Sequence, residues 1–202
     1  MKVRFAAIFG LAIAAANAQK IEVTVERQEG DQWLAVEPAR VFASGDRLRF
    51  RCTTSVPGFL YVMNHGTAGT WQLLFPQKET GTENRMEKGS SRMVPATQGA
   101  FTVTGPPGHD IVYWLVSPVP LANGWPEPPK SSVPPASFRP RCDDTVFKSR
   151  GDCVDSTAGL KPAKTLPTQI RPRELNVSDD QKGKATTAAA APVIYELRLA
   201  HR

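Results

Sequence analysis

Charged and hydrophobic residues alternate most clearly between residues 41 and 64. From Arg47 to Cys52, three arginines alternate with Leu, Phe and Cys, which puts charge on one face of a strand and apolar side chains on the other. Pro57-Gly58 then predicts a turn, and the aromatic and β-branched run Phe59–Met63 predicts a buried strand. This stretch therefore predicts two consecutive strands joined by a turn.

Similar short patterns recur along the chain with turn residues between them and almost no helical periodicity. The further predicted strands are Ile21–Val25, Trp33–Val36, Trp71–Phe75, Met93–Val94, Phe101–Thr104, Ile111–Ser117 and Val193–Leu199. Ile111–Ser117 is continuously apolar, so we expect it in mid-sheet with both faces covered. Val193–Leu199 follows a long excursion and is expected to close the sheet. The pattern predicts an all-β fold, an antiparallel β-sandwich or open barrel.

Composition divides the chain into four segments. Residues 1–18 combine a basic start, an apolar stretch and Ala16-Asn17-Ala18, the pattern of a signal peptide that is cleaved before Gln19. Residues 19–120 form the predicted β-sandwich module. Residues 121–192 are a Pro/Ala-rich, poorly structured insertion that holds ten of the eighteen prolines, and residues 193–202 complete the sheet. We expect a secreted or periplasmic protein without a transmembrane segment after cleavage.

Export would place the three cysteines in an oxidising compartment. Cys142 and Cys153 flank a short loop, which predicts a disulfide in an oxidising compartment. Cys52 lies on the apolar face of its strand and is expected to be a buried thiol. The cysteines lack the spacing of zinc ligands, so no metal is predicted.

Charge argues against nucleic acid as a partner. The formal net charge of +6 includes two basic residues of the signal peptide and falls to +4 after its removal. Acidic and basic residues are interspersed, which is typical of a solvated surface. The arginines of the Arg47–Cys52 strand would repel one another unless acidic side chains lie opposite, and Glu22, Glu26 or Glu196 could supply them. We therefore expect a structural cross-strand ladder.

No catalytic residue and no cofactor are predicted. The chain lacks a nucleophile elbow, a zinc-protease motif, a P-loop and a dinucleotide motif. His65 in a loop, His109 after a turn and His201 next to the end are each expected to be solvated. The aspartates of residues 143–155 lack the spacing of a calcium loop.

Several motifs, taken in order, resemble a known family. They are Phe42–Phe50, Gly58–Asn64, Leu73–Pro76, Asn84, Gly89, Pro95, Gly105–Gly108 and Leu115–Pro118. Their order is similar to that of the bacterial module named domain of unknown function 4384, over roughly residues 20–120. The resemblance implies an all-β accessory module of exported proteins, which also occurs attached to peptidase, kinase and repeat domains. It carries over no established activity or catalytic residue, and the cysteine-bearing insertion departs from the family pattern.

Three functions remain open from the sequence. The leading one is an exported, non-catalytic β-sandwich that binds an unidentified protein or cell-envelope component, with Asn64, His65 and Trp71 as candidate contacts. The second is a hydrolase of envelope polymers that uses Asp143, Asp144 or His65. The third is a structural or oligomerising module with the Pro-rich segment as a spacer. The sequence leaves the oligomeric state open.

Overall fold

Eleven β-strands make up the regular structure of the part of the chain that is described. The computed structural model describes residues 19–121, 154–155, 157–163 and 191–202. The strands are β1 (Ile21–Glu29), β2 (Gln32–Val36), β3 (Arg47–Thr54), β4 (Gly58–His65), β5 (Trp71–Phe75), β6 (Arg85–Met86), β7 (Ser91–Val94), β8 (Phe101–Thr102), β9 (Gly108–Ser117), β10 (Gly159–Pro162) and β11 (Val193–His201). None of the described residues form a helix with the length and apolarity to cross a bilayer.

The strands form two antiparallel sheets that pack face to face. The smaller sheet has the order β2-β1-β3-β7, with β8 also paired to β3. The larger sheet has the order β10-β11-β9-β4-β5, with β6 also paired to β4. The all-β prediction is therefore confirmed, and the architecture is an open sandwich rather than a closed barrel.

The core lies between the sheets and follows the predicted alternation. On β3 the apolar residues of the Arg47–Cys52 pattern are buried, while the three arginines point to the other face. Trp114 of β9 is fully buried, and its ring meets Phe50 of β3 edge-on at 5.5 Å. Cys52 is a free thiol with no exposed surface, as predicted, and burial raises its pKa to about 12.

The central position predicted for Ile111–Ser117 is confirmed. Strand β9 lies between β11 and β4. Its inward residues join the main core, whereas Leu115 belongs to a second apolar cluster with Tyr61 and Met63 on the outer face of the larger sheet. Both faces of β9 are therefore apolar, which explains why its sequence does not alternate.

The return of the chain at β11 is also as predicted. All nine residues of Val193–His201 pair with β9, from Val193 opposite Val116 to His201 opposite Gly108. The other edge of β11 pairs with β10, a strand inside the segment that was predicted to be poorly structured. The sequence did not predict this four-residue strand within the insertion. The remaining residues of the insertion, the predicted signal peptide, Cys142 and Cys153 lie outside the described residues.

The polar segment 77–92 contains a short strand and one buried side chain. The strand is β6, and Met86 is only 2% exposed and belongs to the main core. Asn84 fixes the approach to β6, because its backbone oxygen accepts from Leu60 N (2.8 Å) and its Nδ2 donates to Leu60 O (3.1 Å). One apolar side chain of this otherwise polar segment, Met86, is thus part of the core.

Candidate functional site

The three candidate contact residues meet at the end of the β4–β5 hairpin. Asn64 and His65 are the last residues of β4, and they pair with Gln72 and Trp71 of β5. His65 is therefore a strand residue and partly buried, so the prediction of a solvated loop histidine is wrong. Successive strand residues point to opposite faces, which puts His65 and Trp71 on the outer face of the larger sheet and Asn64 on the inner face.

His65, Trp71 and Tyr113 form a stack of rings that we call the aromatic row. The imidazole of His65 lies 4.2 Å from the indole of Trp71 at an angle of 6°, and the phenol of Tyr113 lies 5.5 Å from that indole at 22°. All three side chains are partly exposed. Tyr113 belongs to β9, two strands away from β5, so the row ties three strands together across the outer face.

The aromatic row is uncharged at neutral pH. Burial lowers the pKa of His65, and the nearby carboxylate of Asp110 only partly offsets this effect. Burial raises the pKa of Tyr113, and the charge of Glu196 raises it further against the opposing effect of Arg198. The row therefore presents neutral rings with polar edges, flanked by one acidic and one basic residue of β11.

A buried polar cluster lies on the inner side of the same end of the sandwich. Thr67 of the β4–β5 loop donates its backbone N–H to Asp110 Oδ1 at 2.9 Å, and its hydroxyl lies 3.0 Å from His201 Nε2. His201 Nε2 also lies 3.5 Å from Asp110 Oδ1. Because His201 is 2% exposed, the prediction of a solvated terminal histidine is wrong. The cluster anchors the end of β11 to the hairpin loop.

His109 has an equally specific environment. Its Nε2 lies 2.7 Å from Asp155 Oδ2, and Asp155 N donates to Ala39 O at 2.6 Å. Burial raises the pKa of Asp155, but hydrogen bonds from Thr157 and His109 outweigh it and hold that pKa below the ordinary value. The prediction of a solvated His109 is thus also wrong. Asp155 thus joins the start of the β10 segment to β9 through His109.

The contacts of His201 differ from those of a histidine in a hydrolytic triad. In a hydrolytic triad the carboxylate orients the imidazole through the nitrogen that does not face the nucleophile. Here the Thr67 hydroxyl and the Asp110 carboxylate approach the same nitrogen of His201. Across the described ranges, no three His, Cys, Asp or Glu side chains gather as metal ligands. Asp143 and Asp144, which the hydrolase hypothesis names beside His65, lie outside those ranges.

The predicted arginine ladder is present on the outer face of the smaller sheet. Glu26 of β1 accepts from Arg49 Nε at 2.6 Å and from Arg51 Nε and Nη2 at 3.2 and 2.9 Å. The guanidinium of Arg49 lies 4.4 Å from the ring of Trp33. Glu26 is only 6% exposed, and both arginines bind its carboxylate. These contacts explain the arginine side chains of this face as parts of a structural ladder.

Comparison with known proteins finds one matching family, which has no assigned activity. Residues 41–120 match the family model described as Domain of unknown function (DUF4384). No curated protein and no solved structure matches the chain. The matched segment includes β3 to β9 and therefore the whole β4–β5 hairpin. Strands β1, β2, β10 and β11 lie outside it. Over residues 41–120 the chain is therefore similar to the DUF4384 family, in agreement with the order of its sequence motifs.

Proposed function

We propose that this chain is an exported, non-catalytic accessory module that binds a protein or cell-envelope component through the aromatic row. The observation that carries the proposal is the stack of His65, Trp71 and Tyr113, which is partly exposed on the outer face of the larger sheet. Partly exposed tryptophan and tyrosine are the residues most often found as anchors in interfaces.

The arrangement of the row supports binding by a preformed surface. Each ring is held by its neighbour, so little side-chain freedom remains to be lost on association. The rings of Trp71 and Tyr113 pack against the outer apolar cluster of Tyr61, Met63 and Leu115. Neutral rings with polar edges suit a partner that buries apolar surface and makes a few hydrogen bonds. The flanking Glu196 and Arg198 supply one charge of each sign.

Export and the disulfide belong to the proposal as well. The signal-peptide pattern of residues 1–18 directs the chain to the periplasm or the exterior. An oxidising compartment would also allow Cys142 and Cys153 to pair. The partner is accordingly expected among envelope or exported molecules.

Native pull-down from the envelope fraction tests the proposal. The baits are residues 19–202 as wild type, as Trp71→Ala and as Trp33→Ala. Trp33 is a matched control, because it is also a partly exposed strand tryptophan that stacks on a neighbouring side chain. We expect the wild type and Trp33→Ala to recover the same partner, and Trp71→Ala to lose it by about tenfold.

Two results would refute this function. Equal recovery by all three baits would place the contact away from the aromatic row. Turnover of an envelope polymer by the purified chain, with no retained partner, would favour the hydrolase instead.

A further inference from the structure

The edge strand β5 of the larger sheet lacks two common barriers to strand pairing, a charged residue and a proline. Within the described ranges, β5 pairs with β4 and with no other strand. Residues Trp71–Phe75 include no charged residue and no proline, the features that natural sheets use to block their edges. The opposite edge strand, β10, carries both Lys161 and Pro162. The two edges of this sheet are therefore built differently.

A groove of about 400 Å³ lies next to this edge, and we call it the β5 groove. Gln72 and Leu74 of β5 form one wall, and Pro95, Gly99 and Phe101 of the smaller sheet and its loop form the other. Its size is within the range of ligand-binding clefts. Both the backbone edge of β5 and a receptacle for side chains are thus available in the same place.

The end of the β5 groove is held in a fixed conformation. Gln77 N donates to Gly81 O at 3.0 Å, which closes the turn after β5. Ala96 N donates to Thr80 O at 2.7 Å, and Thr97 Oγ1 donates to Glu79 O at 3.0 Å. These bonds join the turn to the opposite wall, so a ligand would meet a preformed shape.

The lining of the groove indicates the chemistry of its occupant. Leu74, Pro95 and Phe101 supply apolar surface, and Glu79 is the charged residue of the lining. Thr80 Oγ1 is buried and has no hydrogen-bond partner. An apolar side chain followed by a basic one would match this surface, whereas an acidic one would be repelled by Glu79.

We propose that the β5 edge and the β5 groove receive an extended peptide segment that adds to the larger sheet as a new strand. Its backbone pairs with β5, one apolar side chain enters the groove, and a basic side chain lies against Glu79. This inference rests on the proposed function, because it assigns the partner to the protein class. It also places the contact beside Trp71, which is the first residue of β5.

A random peptide library displayed on phage is the probe for this proposal. Peptides of about ten residues, roughly twice the length of β5, are selected on residues 19–202, synthesised and titrated. Glu79→Lys reverses the charge of the groove, with Asp31→Lys on an exposed turn as its control. Gly99→Trp fills the groove, since a Cβ there would make ordinary contacts of 3.4 Å with Thr97 Oγ1 and 3.9 Å with Pro95 Cγ. Gln98→Trp is its control.

The proposal expects selected peptides that carry a basic residue near an apolar one. Their affinity falls about tenfold or more with Glu79→Lys and with Gly99→Trp, and less than about twofold with either control. Bound peptide slows amide hydrogen exchange in residues 71–75, because backbone pairing protects amides there.

Three outcomes overturn it: no enriched peptide, affinity that Gly99→Trp leaves unchanged, or protection away from residues 71–75. Binding of an oligosaccharide such as chitobiose in the same groove, without peptide binding, also overturns it and points to a glycan. The pull-down tests the proposed function, and the peptide titration tests strand addition at β5. A failed pull-down and a failed titration are separate results, so the two failures are distinguishable.

Discussion

Replacing Glu26 with Gln tests whether the arginine ladder stabilises the smaller sheet as a charged unit. The Glu26 carboxylate is 6% exposed and accepts from three N–H groups of Arg49 and Arg51. Glutamine keeps the size of the side chain but removes the negative charge. It also turns an NH₂ donor toward a guanidinium, which can only donate. Among the described residues, neither arginine then has a counter-charge.

The expected loss is about 2 kcal/mol of unfolding free energy at neutral pH. A hydrogen bond to a charged group is worth roughly 1.5–3 kcal/mol, and three such bonds converge on Glu26. The loss stays below the full sum because the arginine side chains are 29% and 49% exposed and can be rehydrated by water. Glu22→Gln is the control. Glu22 of β1 pairs with Lys20, which precedes the strand. Both side chains are more than half exposed, so no resolvable change is expected.

The pH dependence of the loss has a definite sign. Burial raises the pKa of Glu26, but hydrogen bonds from Arg49 and Arg51 outweigh it and hold the pKa below the ordinary 4.5. A carboxylate whose folded pKa is lowered stabilises the fold at pH above 4.5, and this stability is lost as the pH falls through the folded pKa. The gap between wild type and Glu26→Gln therefore narrows in acid.

Urea unfolding of residues 19–202 measures this gap at pH 7 and in steps down to about pH 3. We expect the wild type to be more stable at pH 7 and the difference to shrink below pH 4.5. Equal stability at pH 7, or a gap that widens in acid, would refute the electrostatic explanation.

The remaining predictions concern the core and the cysteines. Met86→Ala should lower the unfolding free energy by about 2–4 kcal/mol, and Arg85→Ala on the exposed neighbour should change it little; equal denaturation midpoints would contradict the burial of Met86. The Cys52 thiol, with a pKa of about 12 and no exposed surface, should resist iodoacetamide at about pH 8 until the protein is unfolded, so alkylation of the native chain would contradict its burial. Peptide mapping without reduction should yield a Cys142–Cys153 peptide, and a disulfide that includes Cys52 would contradict the pairing.

The strands that could be predicted are those with a local signal. The alternation from Arg47 to Cys52 specifies which face of β3 is buried, because side chains repeat every two residues in a strand. The continuously apolar Ile111–Ser117 specifies a central strand, since both of its faces are covered. Such patterns depend only on residues close together in sequence, so they can be recognised before the fold is known.

The strands that were missed have no such signal. β6 has two residues and β10 has four, too few to show a period. Each forms because a distant strand supplies its hydrogen bonds, β4 for the one and β11 for the other. Their composition is polar or Pro/Gly-containing, which favoured connections in the sequence.

The environments of the histidines could not be predicted for a related reason. His201 meets Thr67, which is 134 residues away in sequence, and His109 meets Asp155, which is 46 residues away. No window of sequence shows such a pairing. Trp71 could be proposed from its position near a loop, but its contact with Tyr113 depends on the order of the strands in the larger sheet.

Photo-crosslinking in living cells tests the central claim most directly. A photoreactive phenylalanine analogue replaces Leu73, which lies beside the aromatic row on the outer face of β5, in one strain and Trp33 in another. Both outer faces of the sandwich are thereby probed in the native compartment while the aromatic row stays intact. The proposed function predicts a discrete adduct with an envelope or exported molecule from position 73, and none from position 33. Adducts from position 33 alone, or equal adducts from both positions, would contradict binding through the aromatic row.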